Sequence, residues 1–525
     1  NPMIHMPIGF SWMMYDTKDT DVYFTEPEPH CNMRRIHTPR GRVLGGCSSI
    51  NGMVYIRGQK QDYNDWASQP GCEGWSYDDI LPYFKRSENF EAGAPDKYHG
   101  WGGDLNVTNS RVHYELADVY IQAARDAGYP FNPDFNGEDQ EGVGFFQLNQ
   151  KNGKRMSSAA AFLQEARKRP NLTIQTEAKV SKILFHKKRA VGVEYLSRDG
   201  TRHEAAAMRE VILSAGAFAS PQILELSGIG QKAVLEKRGI ELHHELKGVG
   251  ENLQDHYTII VQHGVKKGRT LSQDGQMPDL IVSLAKYVFA KKGVMAHPAA
   301  TVGAFLKGET DERPSYQIHF APGSGDIDES GNMLPGETPG VTSTCCVLRP
   351  ESRGSVHIQS NDPTQWPAVQ CNYLSTDEDR RRIVEAVKIQ RKIYATAGFQ
   401  AWASEEQKPG AQVQSDEEIL EYCRNEGMSV YHPVGTCKMG AADDPMAVVD
   451  NQLRVHGITA LRVVDASIFP NLLSGNTHAP VVAVAEKAAD MILADKLAAD
   501  RDAFQGVAPA GVEGDISKCP FHNAS

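Results

Sequence analysis

The sequence predicts an α/β fold class with a separate sheet-based block in the middle of the chain. Three observations carry this. Over residues 157–228, and again over 461–495, short apolar runs alternate with helical periodicity and turn residues. Over about 256–412 that punctuation stops, and short strand-like runs such as 352–358 (SRGSVHI) take its place. The chain has 525 residues, long enough for about two to four folding units.

Composition narrows the function classes. An apolar fraction of 40 % with 23 % charged residues fits a globular chain with a large core and excludes disorder, collagen and coiled coil. The 55 Lys and Arg against 66 Asp and Glu give a net charge of −11 without a basic stripe, which argues against nucleic acid as a partner. No run approaches the roughly 18 apolar residues of a bilayer span, so no transmembrane segment is expected. Nine scattered cysteines, an odd number, do not make a disulfide framework. A cytoplasmic location is expected, with peripheral contact at a membrane left open.

In chain order, residues 1–17 (NPMIHMPIGFSWMMYDT) show no leader, helix cap or opening strand, which predicts that a further N-terminal piece precedes Asn1. Residues 34–58 form a glycine- and serine-rich loop ending in the alternating Met53, Val54, Tyr55 and Ile56. An acidic, aromatic stretch follows with Trp66, Trp75, Tyr77, Tyr83 and Phe84. Leu116, Val119, Tyr120 and Ala123 have helical spacing within 114–127, and Gly128 stops that helix. Residues 157–168 read as helix up to Pro170. Thr173 and Ile174 read as a strand, as do 180–185, with 190–195 completing a hairpin. Residues 210–214 (EVILS) make a short buried strand that turns at Ala215-Gly216-Ala217 into a helix. Ser220 and Pro221 are that helix's expected cap and first residue, and Gly228 its stop. Residues 380–397 form a long amphipathic helix. Strand 461–464 leads through Asp465 and a loop to a helix over 481–495, and the chain beyond about Ala498 reads as a loose tail.

A dinucleotide fingerprint sits between a strand and a helix. The one G-x-G-x-x-A match, Gly228 to Ala233, follows a helix and reads as a helix stop and turn. Three other segments are more informative together. In residues 41–58, Gly45-Gly46 and Ser48-Ser49 let backbone approach a flat or phosphorylated ligand, although such a loop by itself is also ordinary structure. Residues 214–230 (SAGAFASPQILELSGIG) turn from a strand into a helix N-terminus, which suits a ligand edge and also occurs in plain βα units. Residues 431–440 (YHPVGTCKMG) and 463–480 (VVDASIFPNLLSGNTHAP) carry His432, Asn476, Thr477 and His478. Cys437 lies near His432, and Cys519 with His522 forms C-x-x-H, but neither pair has the neighbours of a zinc site; no metal is expected.

These segments, with 248–256 (GVGENLQDH), resemble five ordered blocks of the glucose–methanol–choline (GMC) flavoprotein oxidoreductases, over nearly the whole chain to about Lys496. The texture is similar to choline-dehydrogenase-like and alcohol-dehydrogenase-like members. The resemblance implies a discontinuous FAD-binding Rossmann-like domain (1–90, 153–255 and 426–497). It further implies a cap segment (91–152), a second, substrate-binding domain on an antiparallel sheet (256–425) and a tail (498–525). The activity implied is FAD-dependent oxidation of a primary alcohol to the aldehyde, with a small-molecule alcohol as donor. The acceptor is a quinone, a carrier or dioxygen, a dehydrogenase being favoured over an oxidase. By motif, His432 matches the active-site histidine and Asn476 the second active position, while His478 is left as a helix-start residue. A histidine near pKa 6.5 is the natural proton partner, and an amide can hold the alkoxide-like oxygen without competing for the proton.

Cofactor contacts are implied at Gly45, Gly46, Asn51, Gly52, Met53, Val54, Val180, Ala215, Tyr431, Asp465, Ala466, Asn476 and Thr477. The helix beginning near Pro480 presents its positive end to the reduced flavin's N1/C2=O edge. Ile50 stands where members with covalent flavin have a histidine, so FAD is expected to be noncovalent. The family's opening strand, glycine loop and helix are missing from the numbered chain, consistent with an incomplete chain. Thr301 and Val302 stand where related sequences tend to carry a Glu, which lowers choline as substrate and raises neutral alcohols, although Tyr431 can serve as one wall of a choline site. A lyase on the same fold and a non-catalytic remnant are the competing readings.

Overall fold

The structure, a computed structural model, describes residues 1–327, 333–335 and 338–505. Its largest element is a seven-stranded antiparallel sheet. The strand order is Ala403–Lys408, Tyr257–Val265, Gly340–Val347, Tyr316–Ala321, Val302–Leu306 and Gly142–Phe145, with Met428–Ser429 pairing the start of Tyr257–Val265. Helix Asp377–Tyr394 packs on this sheet, its Ile383, Val387 and Ile393 joining Ile259, Val261, Ile318 and Phe320 in one core. Thr376 caps that helix, with acids in its first turn and Arg391 and Lys392 in its last, as the helix dipole favours.

A second core forms around the Rossmann-like region. Here Val211–Leu213 pairs in parallel with Leu461–Val463, and helix Gly216–Leu226 follows the first strand. Lys179–His186, Arg189–Leu196 and Arg202–Ala206 make a three-stranded antiparallel sheet beside them. Trp66, Trp75 and Phe84 fill this core under the terminal helix His478–Gln505, and Arg86 clamps Glu486 and Asp490 of that helix at 2.8 and 2.9 Å.

A buried polar chain holds the segment after the glycine loop. Arg57 pairs with Glu88 at 2.9 Å, with both side chains shielded from solvent. Glu88 bonds His99 Nδ1 at 3.2 Å, and His99 Nε2 bonds Asp134 at 2.8 Å.

The hairpin, the helix over 114–127, the turn at Gly228 and the antiparallel middle sheet are all present. Several elements differ, beginning with the start of the chain, where Asn1 caps a short helix Pro2–His5 by accepting the Met3 N–H at 3.1 Å. Thr173 and Ile174 are not in a strand, since no described strand lies alongside to take up their ladder bonds. Val211–Leu213 is not fully buried: it pairs on one edge only, and Ile212 is 45 % exposed. Ser220 does not cap its helix, which begins at Gly216; Asp465 accepts the Gly216 N–H instead, freeing Ser220 to bond the Ala215 N–H and to donate to Asp465. The terminal helix starts at His478 and continues to Gln505, past the expected tail boundary at 498. Met53 to Ile56 are all buried and do not alternate, because both faces of this segment are covered by protein. Cys519 and His522 lie outside the described residues. Among those residues the eight cysteines are free, and no helix is long and apolar enough to cross a membrane.

Candidate active site

Strand Tyr316–Ala321 sends Gln317 and His319 to one face by the two-residue period of a strand. That face meets Asn476, two residues before the terminal helix, and His432, which follows Tyr431 in a left-handed backbone conformation (φ 68°). Asp255 anchors this bend: its carboxylate accepts from the His432 backbone N–H at 2.7 Å, the Tyr373 hydroxyl at 2.6 Å and the Ser429 hydroxyl at 2.5 Å.

The protonation pattern follows from hydrogen bonding. His256 Nε2 lies 2.9 Å from the Leu348 carbonyl, which only accepts, so this nitrogen carries a proton. Burial lowers the His256 pKa to about 4, so the ring is neutral and its Nδ1 is an acceptor. His432 Nδ1, 2.9 Å away, therefore donates to it. His432 Nε2 is left as a lone pair, facing Asn476 Nδ2 at 3.2 Å. Gln317 Nε2 donates to Asn476 Oδ1 at 2.9 Å, which turns the amide N–H₂ toward His432. His432 is buried, and desolvation, followed by His256, His319 and Arg40, holds its pKa well below the ordinary value. Desolvation also lowers His319 to about 4, against its bond to Asn476.

Behind this pair the glycine loop is pinned by Arg155. Its Nη1 donates to Asn51 O at 2.6 Å, Asn51 Oδ1 at 2.7 Å and Ser48 O at 3.2 Å. Among the described residues no carboxylate pairs with this buried guanidinium, and burial alone lowers its pKa to about 9. Gly45 (φ 90°) and Gly46 (φ 53°) make the turn, and nothing lies within 4 Å of where a Gly46 Cβ would stand. Met53 is left-handed (φ 65°), and its carbonyl accepts from the Asn149 N–H at 2.8 Å. His478, the first residue of the terminal helix, bonds Ser158 and Asn149, each at 3.1 Å.

These residues fit an anionic, flat, polar-edged group such as FAD. Arg155 Nη2, Asn149 Nδ2 and Gln317 Oε1 are buried polar atoms without partners among the described residues, which a ligand edge satisfies. Gly216 (φ 85°) has open space where a side chain would project. Among the described residues no group of three or more His, Cys, Asp or Glu could hold a metal.

Two models of GMC oxidoreductases match residues 22–258 and 350–485. The chain belongs to the GMC oxidoreductase family. Alcohol dehydrogenase [acceptor] of Pseudomonas putida is 40 % identical, over 98 % of this chain and 93 % of that protein. Mitochondrial choline dehydrogenase of Mus musculus is 42 % identical, over 93 % of this chain and 81 % of its own. Among solved structures, an FAD-dependent oxidoreductase from Chaetomium thermophilum has a TM-score of 0.85 at 26 % identity, covering 94 % of this chain and 93 % of the other.

Within this GMC fold, His432 and Asn476 meet directly, with Tyr431 and Thr477 beside them in sequence. Asp465, Ala466 and Ala215 form a second group, in which Asp465 also caps the turn Ala466–Ile468 through the Ser467 N–H. Asn51, Gly52, Met53 and Val54 form a third, with Gly52 against Ala299. Val180 joins none of these; it pairs with Tyr195 in the three-stranded sheet. The sequence reading assigned no role to Asp255, His256, Gln317, His319, Asn149 or Arg155. For Asp255 and His256 a signal existed, since both close the block GVGENLQDH. The others lie on segments without a motif.

The buried histidines set a pH dependence of stability. His37, His256, His297, His319 and His478 are each lowered to about 4 by burial, so between pH 4 and 6.5 the unfolded chain binds protons that the folded chain does not. Stability therefore falls as pH drops from 6.5. Burial acts to lower His99 and His357 as well, but bonds to Asp134 and Glu88, and to Glu225 and Glu251, raise both to about 9. Their contribution is full below pH 6.5 and is lost as pH rises through 9. Thermal melts across pH 4–10 are expected to peak near pH 6.5; a maximum below pH 5 contradicts this assignment.

Proposed function

We propose that the protein is an FAD-dependent alcohol oxidoreductase in which His432 takes the hydroxyl proton and Asn476 holds the substrate oxygen. The observation that carries this reading is the ordered chain from the Leu348 carbonyl through His256 to His432, which leaves one free lone pair beside one aimed amide. An alcohol oxygen that replaces the direct His432–Asn476 contact receives the Asn476 N–H and gives its proton to Nε2. FAD, when bound, supplies the two-electron oxidation by accepting the hydride from the carbinol carbon. The depressed pKa of His432 keeps the base form present through neutral pH. Residues 45–54, with Arg155 behind them, the turn at Ala215 and Asp465, and Asn476 and Thr477 at the helix start are the segments that hold the cofactor, noncovalently. Asn476 and Thr477 present the positive end of the helix to it.

The substrate class we propose is a neutral primary alcohol rather than choline. Asp255, the carboxylate bonded into this cluster, is buried and fixed by three donors at the backbone bend, and Thr301 and Val302 carry no charge for a trimethylammonium group. The dehydrogenase reading, with a quinone or carrier as acceptor, draws support from the Pseudomonas putida relative's name. The test is anaerobic titration of the flavin-loaded protein with aliphatic primary alcohols and choline. Bleaching of the oxidised flavin by the neutral alcohols is expected, and slow reoxidation on admitting air marks a dehydrogenase. Flavin that no alcohol bleaches rejects this reading in favour of a lyase.

A further inference from the structure

Helix Asp279–Ala290 has its amphipathicity inverted. Its inward seam is Ser283 and Tyr287, whereas Met277 just before it and Ile281, Val282, Leu284, Val288 and Phe289 on it are exposed, Phe289 at 89 %. A helix apolar on most of its circumference is ordinarily buried. This one presents an apolar face about 18 Å long that nothing among the described residues covers.

The rim of that face is basic, on a protein whose net charge is −11. Lys286, Lys291 and Lys292 lie on the helix and at its end. The hairpin that carries Lys151 and Lys154 abuts the same end: a Cβ on Gly153 would stand 2.7 Å from Lys291 Cβ and 3.5 Å from Arg111 Cδ. Among the described residues none of these six cations pairs with a carboxylate. The nearby acids Asp274 and Asp279 are taken up by Arg269.

We propose that this face docks in the headgroup plane of a bilayer containing anionic lipid, the apolar side chains entering the acyl boundary and the six cations facing lipid phosphates. An apolar face with a cationic rim is what interfacial helices use. A second copy of the chain fits less well, because a two-fold contact sets one basic rim against another. Both flanks of the face lead to the glycine loop: after the helix, the Ala299 N–H approaches Gly52 O at 3.5 Å, and the hairpin ends in Arg155. Docking therefore brings the bilayer to the elements that hold the cofactor.

The test is flotation of the flavin-loaded protein with phosphatidylcholine vesicles, with and without about one part in three of phosphatidylglycerol. Flotation is expected with the anionic vesicles, about tenfold weaker with neutral ones, and suppressed by high salt. Val288→Ser/Phe289→Ser and Lys291→Glu/Lys292→Glu should each lower it by about tenfold, with turnover on a water-soluble dye acceptor unchanged as evidence of folding. No flotation, or equal flotation of wild type and both variants, overturns the proposal. So does a dimer in sedimentation that Phe289→Ser dissociates, which assigns the face to self-association.

Discussion

His432→Ala is expected to slow alcohol-driven flavin reduction by about 10²–10⁴-fold, the range in which a positioned general base contributes. The flavin spectrum should survive, since His432 makes no hydrogen bond to the segments over 45–54 and its backbone N–H to Asp255 is kept. Anaerobic stopped-flow absorbance measures the rate directly. The pH profile sharpens the assignment. With the His432 pKa held well below 6.5 by desolvation and its histidine neighbours, the wild-type rate should stay flat through pH 6 and fall only in more acid buffer. His256→Phe removes the acceptor that fixes the His432 proton on Nδ1, so the lone pair no longer resides on Nε2 alone. A rate loss of about tenfold with an altered acid limb is expected for a residue that positions the base. A His432→Ala enzyme reduced at the wild-type rate would falsify the proton-transfer role.

The largest effect on stability is expected at Arg57. Its guanidinium and the Glu88 carboxylate are both buried, and breaking such a pair from one side leaves an uncompensated charge, costing about 3–5 kcal/mol. Arg57→Met should therefore lower the urea midpoint strongly with little change in slope. The double variant Arg57→Met/Glu88→Leu should recover part of that loss by removing the stranded carboxylate, although His99 Nδ1 then loses its partner. Equal loss in the single and double variants would show that packing against Tyr55 and Phe84, and not charge, makes Arg57 necessary.

The turn at Gly228, the hairpin over 180–195 and the antiparallel middle sheet were legible because glycine placement, two-residue alternation and missing βα punctuation are local signals. Ser220 misled for an equally local reason: Ser-Pro is a good helix start, but Asp465, 245 residues later, takes the capping role by accepting the Gly216 N–H. The exposed apolar helix Asp279–Ala290 had no distinctive signal, since its composition is that of a buried element.

By itself the sequence determined the family blocks, the identities of His432 and Asn476 as candidate base and oxygen anchor, and the glycines that let backbone approach a flat ligand. Chemistry of that kind belongs to residue type and spacing. Only the tertiary structure decided which nitrogen of His432 is free, because that depends on a carbonyl at Leu348 acting through His256. It also decided that Gln317 turns the Asn476 amide and that Arg155 lies buried with no counter-charge among the described residues. Proton positions and desolvation are set by neighbours far apart along the chain, which no local pattern records.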